Sequence, residues 1–364
     1  MNRTIGSRIL SCALVNVFTA AFLASPALAQ TGASSQKWEV EVHGGGMFGF
    51  RSSDGATTLP APGAAFTTFT GFPSRRVSSW YFGDGSQLFN DLPAGVRQSQ
   101  SITSLNAPLG RGATPKSGGS IGGRVGYAIT PRLTAEFSID YGWSSIEIDP
   151  DALAEIETTR ASFITAWNGA LGVFGSPTVT STISTHEGSS HQLSTVGVVV
   201  YKLTAEHRIT PFVTGGIGMI SNLGELPSVS LTGSYSFVFL GVWPFVENDR
   251  VTVRYGVADH DLVGVFGGGF TFALNSKSGV RVDVRAHLGS NSASTTVDAT
   301  PGVQTLNPVQ GLATLTTPSV QFVNNPGIGS QSTLTGASIQ GFETFDGSGS
   351  AQVLSVTAGW YFRF

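Results

Sequence analysis

Leu354-Ser355-Val356-Thr357-Ala358-Gly359-Trp360-Tyr361-Phe362-Arg363-Phe364 places Leu354, Val356, Ala358, Trp360, Phe362 and Phe364 on one parity and Ser355, Thr357, Gly359, Tyr361 and Arg363 on the other. A two-residue period is that of a β-strand with one face in an apolar medium and the other in a polar one. A sequence whose final strand closes on an aromatic residue predicts no soluble domain after it.

The first residues say where such a strand would live. Arg3 and Arg8 form a basic n-region, Ile9 to Leu23 is an apolar core broken only by small or polar residues, and Ala27-Leu28-Ala29 before Gln30 has the small-residue cleavage pattern. Residues 1–29 are therefore expected to be a secretory signal peptide, with 30–364 as one barrel domain. Spanning as a helix needs about 20 apolar residues, more than this stretch offers. Cys12 is the single cysteine and would be removed with the leader, so no disulfide or thiol chemistry is expected.

Charged residues make up 12% of the chain, against about 25% in ordinary soluble domains. Yet no second apolar run is long enough for a membrane helix; Phe237 to Val246 is short and holds Pro244. With 20 basic and 23 acidic side chains, and Arg3 and Arg8 leaving with the leader, no basic stripe recommends nucleic acid as a partner. An apolar, alternating, Gly-rich chain without long helices fits a membrane-spanning β-barrel.

Eight period-2 segments bounded by turn residues are the expected strands: Trp38 to Phe50, Ile121 to Ile129, Leu133 to Trp143, Leu193 to Leu203, Ile209 to Met219, Gly264 to Leu274, Val280 to Leu288 and Leu354 to Phe364. Links are short after the second, fourth and sixth, and tens of residues long after the others. That asymmetry matches short periplasmic turns and long outer loops, with both termini in the periplasm and Trp38, Trp360 and Phe364 at the inner boundary. Trp143 falls at the outer one. Two further alternating runs, Val229 to Phe239 and Val251 to Val257, are either extra membrane strands, making ten, or an extracellular hairpin extending the fifth and sixth strands. The short second arm and the bulky Pro244 to Arg250 turn favour the hairpin.

Pro211-Phe212-Val213-Thr214-Gly215-Gly216, Gly279-Val280-Arg281-Val282-Asp283-Val284-Arg285 and Trp360-Tyr361-Phe362-Arg363-Phe364 resemble segments of the small outer-membrane barrels of the OmpA-like transmembrane type. The resemblance covers the eight strands and implies an all-β, antiparallel, up-and-down barrel in the outer membrane. It implies no particular activity, and it does not extend to the periplasmic peptidoglycan-binding domain of some relatives. Its expected partners are membrane lipid and lipopolysaccharide, with the barrel-assembly machinery engaging the closing strand through Trp360, Phe362 and Phe364.

Turned inward, the polar parity would bring Glu39, Glu41, Glu136, Asp140 and Asp283 together with Arg124, Lys202, Arg281, Arg285 and Arg363. An eight-strand barrel has room only for side chains, and unpaired buried charges are costly, so mutual pairing into a plug is expected. Arg124 and Glu136 flank the Thr130 turn and should face each other; Glu39 and Arg363 should meet where the first and last strands close. A narrow porin-like channel through rearranging pairs is the rival reading.

A surface enzyme is the second rival. Asp259-His260-Asp261 is the one group similar to the acid and histidine sets of omptin proteases, and lipid A deacylases are the other enzymatic barrels considered. No residue is assigned a catalytic, cofactor or metal-binding role. Gly44 to Gly49 fits G-x-G-x-x-G but lacks the following helix, and His186 to His191 has a five-residue spacing where H-E-x-x-H needs four. These glycines, like Gly267 to Gly269, suit tightly curved strands. Asp149 and Pro150 start one amphipathic loop helix, with Leu153, Ile156, Arg160, Phe163, Ile164 and Trp167 on its stripe. It either packs on other loops or lids a ligand site. The loops 51–119 and 289–350, polar and Gly-rich, are expected to be partly disordered. Together these features lead to an integral outer-membrane barrel with a structural or surface-contact role as the expectation.

Overall fold

A computed structural model describes residues 36–50, 75–77, 79–82, 84–90, 92–105, 112–204, 208–239, 243–299, 320–322 and 342–364. The expected leader, 1–29, lies outside them, as do large parts of the first and fourth outer loops. Eight strands form the barrel: β1 Trp38–Phe50, β4 Gly118–Ala128, β5 Leu133–Ile148, β7 Gly188–Lys202, β8 Ile209–Asn222, β11 His260–Ala273, β12 Ser278–Asp298 and β14 Phe342–Arg363. Each pairs antiparallel with the next, and β1 closes on β14 from Glu39 opposite Arg363 to Phe50 opposite Gln352. Backbone bonds between Trp38 and Phe364, at 3.1 and 3.0 Å, continue the seam to the inner rim.

The parity holds around the cylinder. Ile217 is 69% exposed and Leu262 73%, with Phe137, Phe266, Phe270 and Phe362 on the same outer surface. An apolar belt of this kind, on a sheet with no open edge in the membrane, is the arrangement that spans lipid. Trp38 and Tyr127, with ring centroids 5.0 Å apart, sit on the inner rim. Trp143 and Tyr141 mark the outer rim, where His191 stacks on Tyr141. Inner turns are side-chain capped: Thr130 Oγ1 accepts from the amides of Arg132 and Leu133, and Asn275 Oδ1 from those of Lys277 and Ser278. The glycines work as expected at Gly45, where a Cβ would collide with the Val356 carbonyl across the closing seam.

The doubtful hairpin is extracellular, so the membrane count is eight. Its arms, β9 Ser228–Phe239 and β10 Trp243–Val257, do not extend the fifth and sixth strands as expected. β10 instead pairs with the outer half of β12, from Thr252 opposite Asp298 to Val257 opposite Ala293. β6, Thr178–His186, pairs with β9. The outer halves of β14 and β12, then β10, β9 and β6, thus form one sheet beyond the membrane. Within the region expected to be loop, β12 runs on to Asp298 and β14 starts at Phe342, because those Ser- and Thr-rich stretches pair with each other. The remaining short strands are β2 Arg75–Val77, β3 Ala113–Pro115 and β13 Val320–Phe322; β2 pairs with β13 and β3 with β5.

That outer sheet carries its own hydrophobic core, a cap. Helix α2, Pro150–Gly172, starts where expected, with the Asp149 side chain accepting from the Asp151 amide. It lays Ile156, Phe163, Ala166 and Trp167 on Val229, Leu231, Tyr235, Val251 and Val253. Arg160 is off that stripe and pairs with Glu157 instead. A second helix, α1 Asp84–Asn90, was not expected. Nor was the packing of residues 79–105: Trp80, Tyr81, Phe82, Leu88, Phe89, Ile102 and Leu105 are all buried in the cap. Trp167 is the hub, stacked on Tyr235 at 4.0 Å and edge-on to Trp80 at 4.9 Å and Phe89 at 5.0 Å.

Candidate functional site

Strands β1, β4, β5, β12 and β14 turn their polar parity into the lumen, and seven of the ten charges named from sequence meet there as one network. Asp283 Oδ2 accepts from Arg124 Nη1 at 2.9 Å, Arg281 Nη2 at 3.1 Å and Arg285 Nε at 2.9 Å. Glu136 takes Arg281 Nη1 at 2.6 Å on one oxygen and Arg285 Nη2 on the other. Glu41 lies 3.5 Å from Arg124 and 3.9 Å from Arg281. All six side chains are at most 5% exposed, so three guanidinium groups and three carboxylates neutralise one another away from water.

The expected Arg124–Glu136 contact exists but is diagonal: Arg124 is registered with Ser138 and Glu136 with Gly126, leaving the charges 3.7 Å apart. Asp140 belongs to the same cluster through a residue not counted among the charges. His43 hydrogen-bonds Asp140 and stands 3.6 Å from Glu41, joining two carboxylates that no arginine bridges. His43 lies on the inward parity of β1, so its place was readable, but only acids, lysines and arginines were counted as lumen charges. Glu39 and Arg363 pair separately at the inner rim, 2.8 Å apart, as expected. Lys202, also at that rim, has no carboxylate within 4.0 Å among the described residues.

The other half of the lumen is apolar, which the polar-parity rule missed. Val196, Val198 and Val200 of β7, Phe212 and Ile220 of β8, and Val263 and Val265 of β11 point inward and are buried. The two halves meet where the Arg281 guanidinium lies over the Phe212 ring, 4.2 Å from its centroid. Above the network is a cavity of about 30 Å³ lined by Ser120, Arg124, Asp140, Ser194, Arg285 and His287, room for about two waters. Charges thus line one wall of the bore, and branched and aromatic side chains line the other.

The weighed motifs come apart. Gly44 to Gly49 lies inside β1, on the closing strand of the barrel. His186 lies 3.7 Å from Glu225, while His191 bonds Tyr141 on the outer wall. His260 and Asp261 point to opposite sides of β11: His260 bonds Ser221, 3.0 Å away, on the lipid side, and Asp261 takes Asn222 Nδ2 at 3.1 Å on the lumen side.

Outside the membrane, the cap holds two buried carboxylates on β10. Asp249 Oδ2 accepts from Ser79 Oγ and the Trp80 amide, both at 2.7 Å, and Glu247 Oε2 from Trp80 Nε1 at 3.4 Å and from the Tyr235 hydroxyl. Burial in the aromatic core pushes Asp249 up to about 6 and raises Glu247 as well. These bonds fasten residues 79–82 to the hairpin.

No protein-family description and no curated protein matches the chain. Among solved structures, the outer membrane protein OprG of Pseudomonas aeruginosa is 9% identical, with 91% of this chain and 98% of that one covered and a TM-score of 0.38. The Escherichia coli outer membrane protease OmpT is 7% identical, covering 92% and 99%, with a TM-score of 0.27. The Pseudomonas putida toluene transporter TodX is 10% identical, covering 91% of each, with a TM-score of 0.19. The first two are described as outer-membrane proteins, and at these scores the three add nothing to the fold described above.

Proposed function

We propose that this protein is an integral outer-membrane barrel whose plugged cylinder anchors an extracellular cap serving surface contact. The observation that carries this reading is the division into two interiors: a lumen filled by its own charges and valines, and a separate aromatic core above the membrane. A conduit would need an open bore, whereas an anchor needs rigidity, and five hydrogen-bonded buried charges, with Glu41 in ion-pair range of two of them, supply rigidity. Residues 1–29 deliver the chain through the inner membrane, and Trp360, Phe362 and Phe364 offer the closing strand to the assembly machinery. Lipid and lipopolysaccharide surround the belt. The reading gives the protein no catalytic step, in keeping with the divergence of His260 and Asp261.

Epitope insertion tests the orientation. An epitope between Val173 and Pro177, beyond α2, should be detected on intact cells, while one at Lys277 in an inner turn should need permeabilisation. Equal detection of both, or the reverse order, would contradict the reading.

A further inference from the structure

The cap sheet has an end, and its last strand is guarded at one carbonyl. β6 is bonded to β9 on one side, from Thr178 opposite Ser236 to His186 opposite Ser228, and among the described residues no strand pairs with its other side. Natural proteins blunt such edges with lysines, prolines, bulges or a covering segment. The nine residues Thr178-Val179-Thr180-Ser181-Thr182-Ile183-Ser184-Thr185-His186 contain no Lys, Arg, Asp, Glu or Pro, and the twelve of β9 contain none of the four charged types. One guard exists: Arg160 of α2 donates Nη1 to the Ser181 carbonyl at 3.3 Å.

The side-chain pattern is equally regular. Val179 and Ile183 pack on the cap core, while Thr178, Thr180, Thr182 and Ser184 are exposed. Thr182 Oγ1 bonds Thr232 Oγ1 at 2.7 Å across to β9, Ser230 bonds Thr252 at 3.0 Å across to β10, and Thr296 bonds Thr344 at 3.1 Å between β12 and β14. Hydroxyl pairs thus cross the sheet and stop at β6.

We propose that β6 pairs antiparallel with β6 of a second copy of this chain, related by a two-fold axis at Thr182. That register sets Thr182 opposite itself and Thr180 opposite Ser184, repeating the hydroxyl pairs already made with β9. The strand itself carries no Lys, Arg, Asp or Glu, and the one cation at its edge, Arg160, is paired with Glu157, so it meets its own copy with less repulsion than a lysine-bearing edge would. The Ser181 side chain bonds the Thr232 carbonyl and the Ser181 carbonyl takes Arg160. Thr182 therefore bonds toward β9, and across the open side it forms the close, non-hydrogen-bonded kind of pair, Cα atoms about 4.5 Å apart. Such a pair is within reach of a disulfide.

The axis also decides where the partner stands. β9 climbs from the outer end of β8 to a tip beyond Asp298, so β6, antiparallel to it, descends toward the membrane. An antiparallel partner climbs where this strand descends, so it must be inverted. The second copy therefore belongs to a facing membrane, and the contact is adhesive. This rests on the cap being the extracellular contact surface proposed above.

The test uses the full-length protein in liposomes, with protease accessibility establishing that the cap faces outward and heat-shifted gel migration establishing that each variant is folded. Wild-type vesicles should cluster, Thr182→Lys vesicles should stay dispersed, and Arg160→Ala, which removes the guard, should increase clustering. Oxidised Thr182→Cys vesicles should yield disulfide dimers, including between two separately labelled vesicle populations. Equal clustering of wild type and Thr182→Lys would overturn the proposal. So would a thiol at 182 that reacts with maleimide but forms no dimer, or one shielded from maleimide by the chain's own loops. Failure with the cap outside removes self-pairing alone; a cap found inside removes the proposed surface-contact role as well.

Discussion

Replacing Glu136 by Gln removes the carboxylate that holds Arg281 and Arg285. What remains around Arg124, Arg281 and Arg285 is Asp283 and the more distant Glu41, so three cations share two anions in a space that water barely reaches. Removing one partner from a buried pair typically costs about 3–5 kcal/mol, because the desolvated charge left behind is uncompensated. Arg281→Met alone leaves Glu41, Glu136 and Asp283 to share Arg124 and Arg285, the opposite imbalance, and should cost a similar amount. The double variant removes one charge of each sign and keeps a side chain over Phe212. Its loss should be smaller than the sum of the singles, with a coupling of about 0.5–3 kcal/mol. Urea unfolding of detergent-solubilised protein, followed by gel migration and tryptophan fluorescence, measures all three. A loss below about 1 kcal/mol in both singles, with additive behaviour in the double, would mean that water already solvates these groups, and the plug would be refuted.

Acidification should tighten the cap. Asp249 holds its proton up to about pH 6 in the closed cap, against 3.8 for an ordinary aspartate. The closed state binds protons more strongly than the open one, so its stability is greatest below about pH 4, falls as pH rises to about 6, and is flat above. The change is about 3 kcal/mol at roughly 1.36 kcal/mol per unit. Hydrogen exchange of amides 79–82, corrected for intrinsic rates, should show this slope in the wild type and lose it in Asp249→Asn; greater protection at neutral pH would contradict it. Trp167→Ala should cost the cap about 3–5 kcal/mol and expose residues 79–105 to protease, while the gel shift of the barrel stays unchanged; a lost gel shift would mean that the two interiors are not independent. Glu39→Ala should lower barrel stability by less than about 1 kcal/mol, because the pair with Arg363 is partly exposed. Gly45→Val, by contrast, drives a side chain into the Val356 carbonyl and should weaken the closing seam in the same gel assay.

The membrane part was legible because lipid on one side and charge on the other impose a two-residue period, which β1, β4, β5, β12 and β14 carry most plainly. Legibility failed where one of those conditions was missing. Val196, Val198 and Val200 face the lumen while Val199 and Tyr201 face lipid. With both sides of β7 apolar, parity cannot reveal what lines the bore. In the cap, Ser290 to Asp298 and Phe342 to Ser350 form strands through each other, with 293–298 also paired to β10, pairings that nothing local in Ser, Thr and Gly announces. Trp80, Tyr81 and Phe82 sit in a Gly- and Ser-rich stretch without period, and their burial depends on Asp249, nearly 170 residues away. The α2 cap was readable because Asp149 and Pro150 act on adjacent backbone.

The account depends most on the bore being shut by side chains that satisfy one another. Purified full-length protein in planar lipid bilayers, held under voltage at neutral pH, measures this directly. The structure leads to little or no steady conductance in the wild type, with current steps first emerging when the network is broken, as in Glu136→Gln. Large, stable unitary steps from the wild-type protein would contradict it.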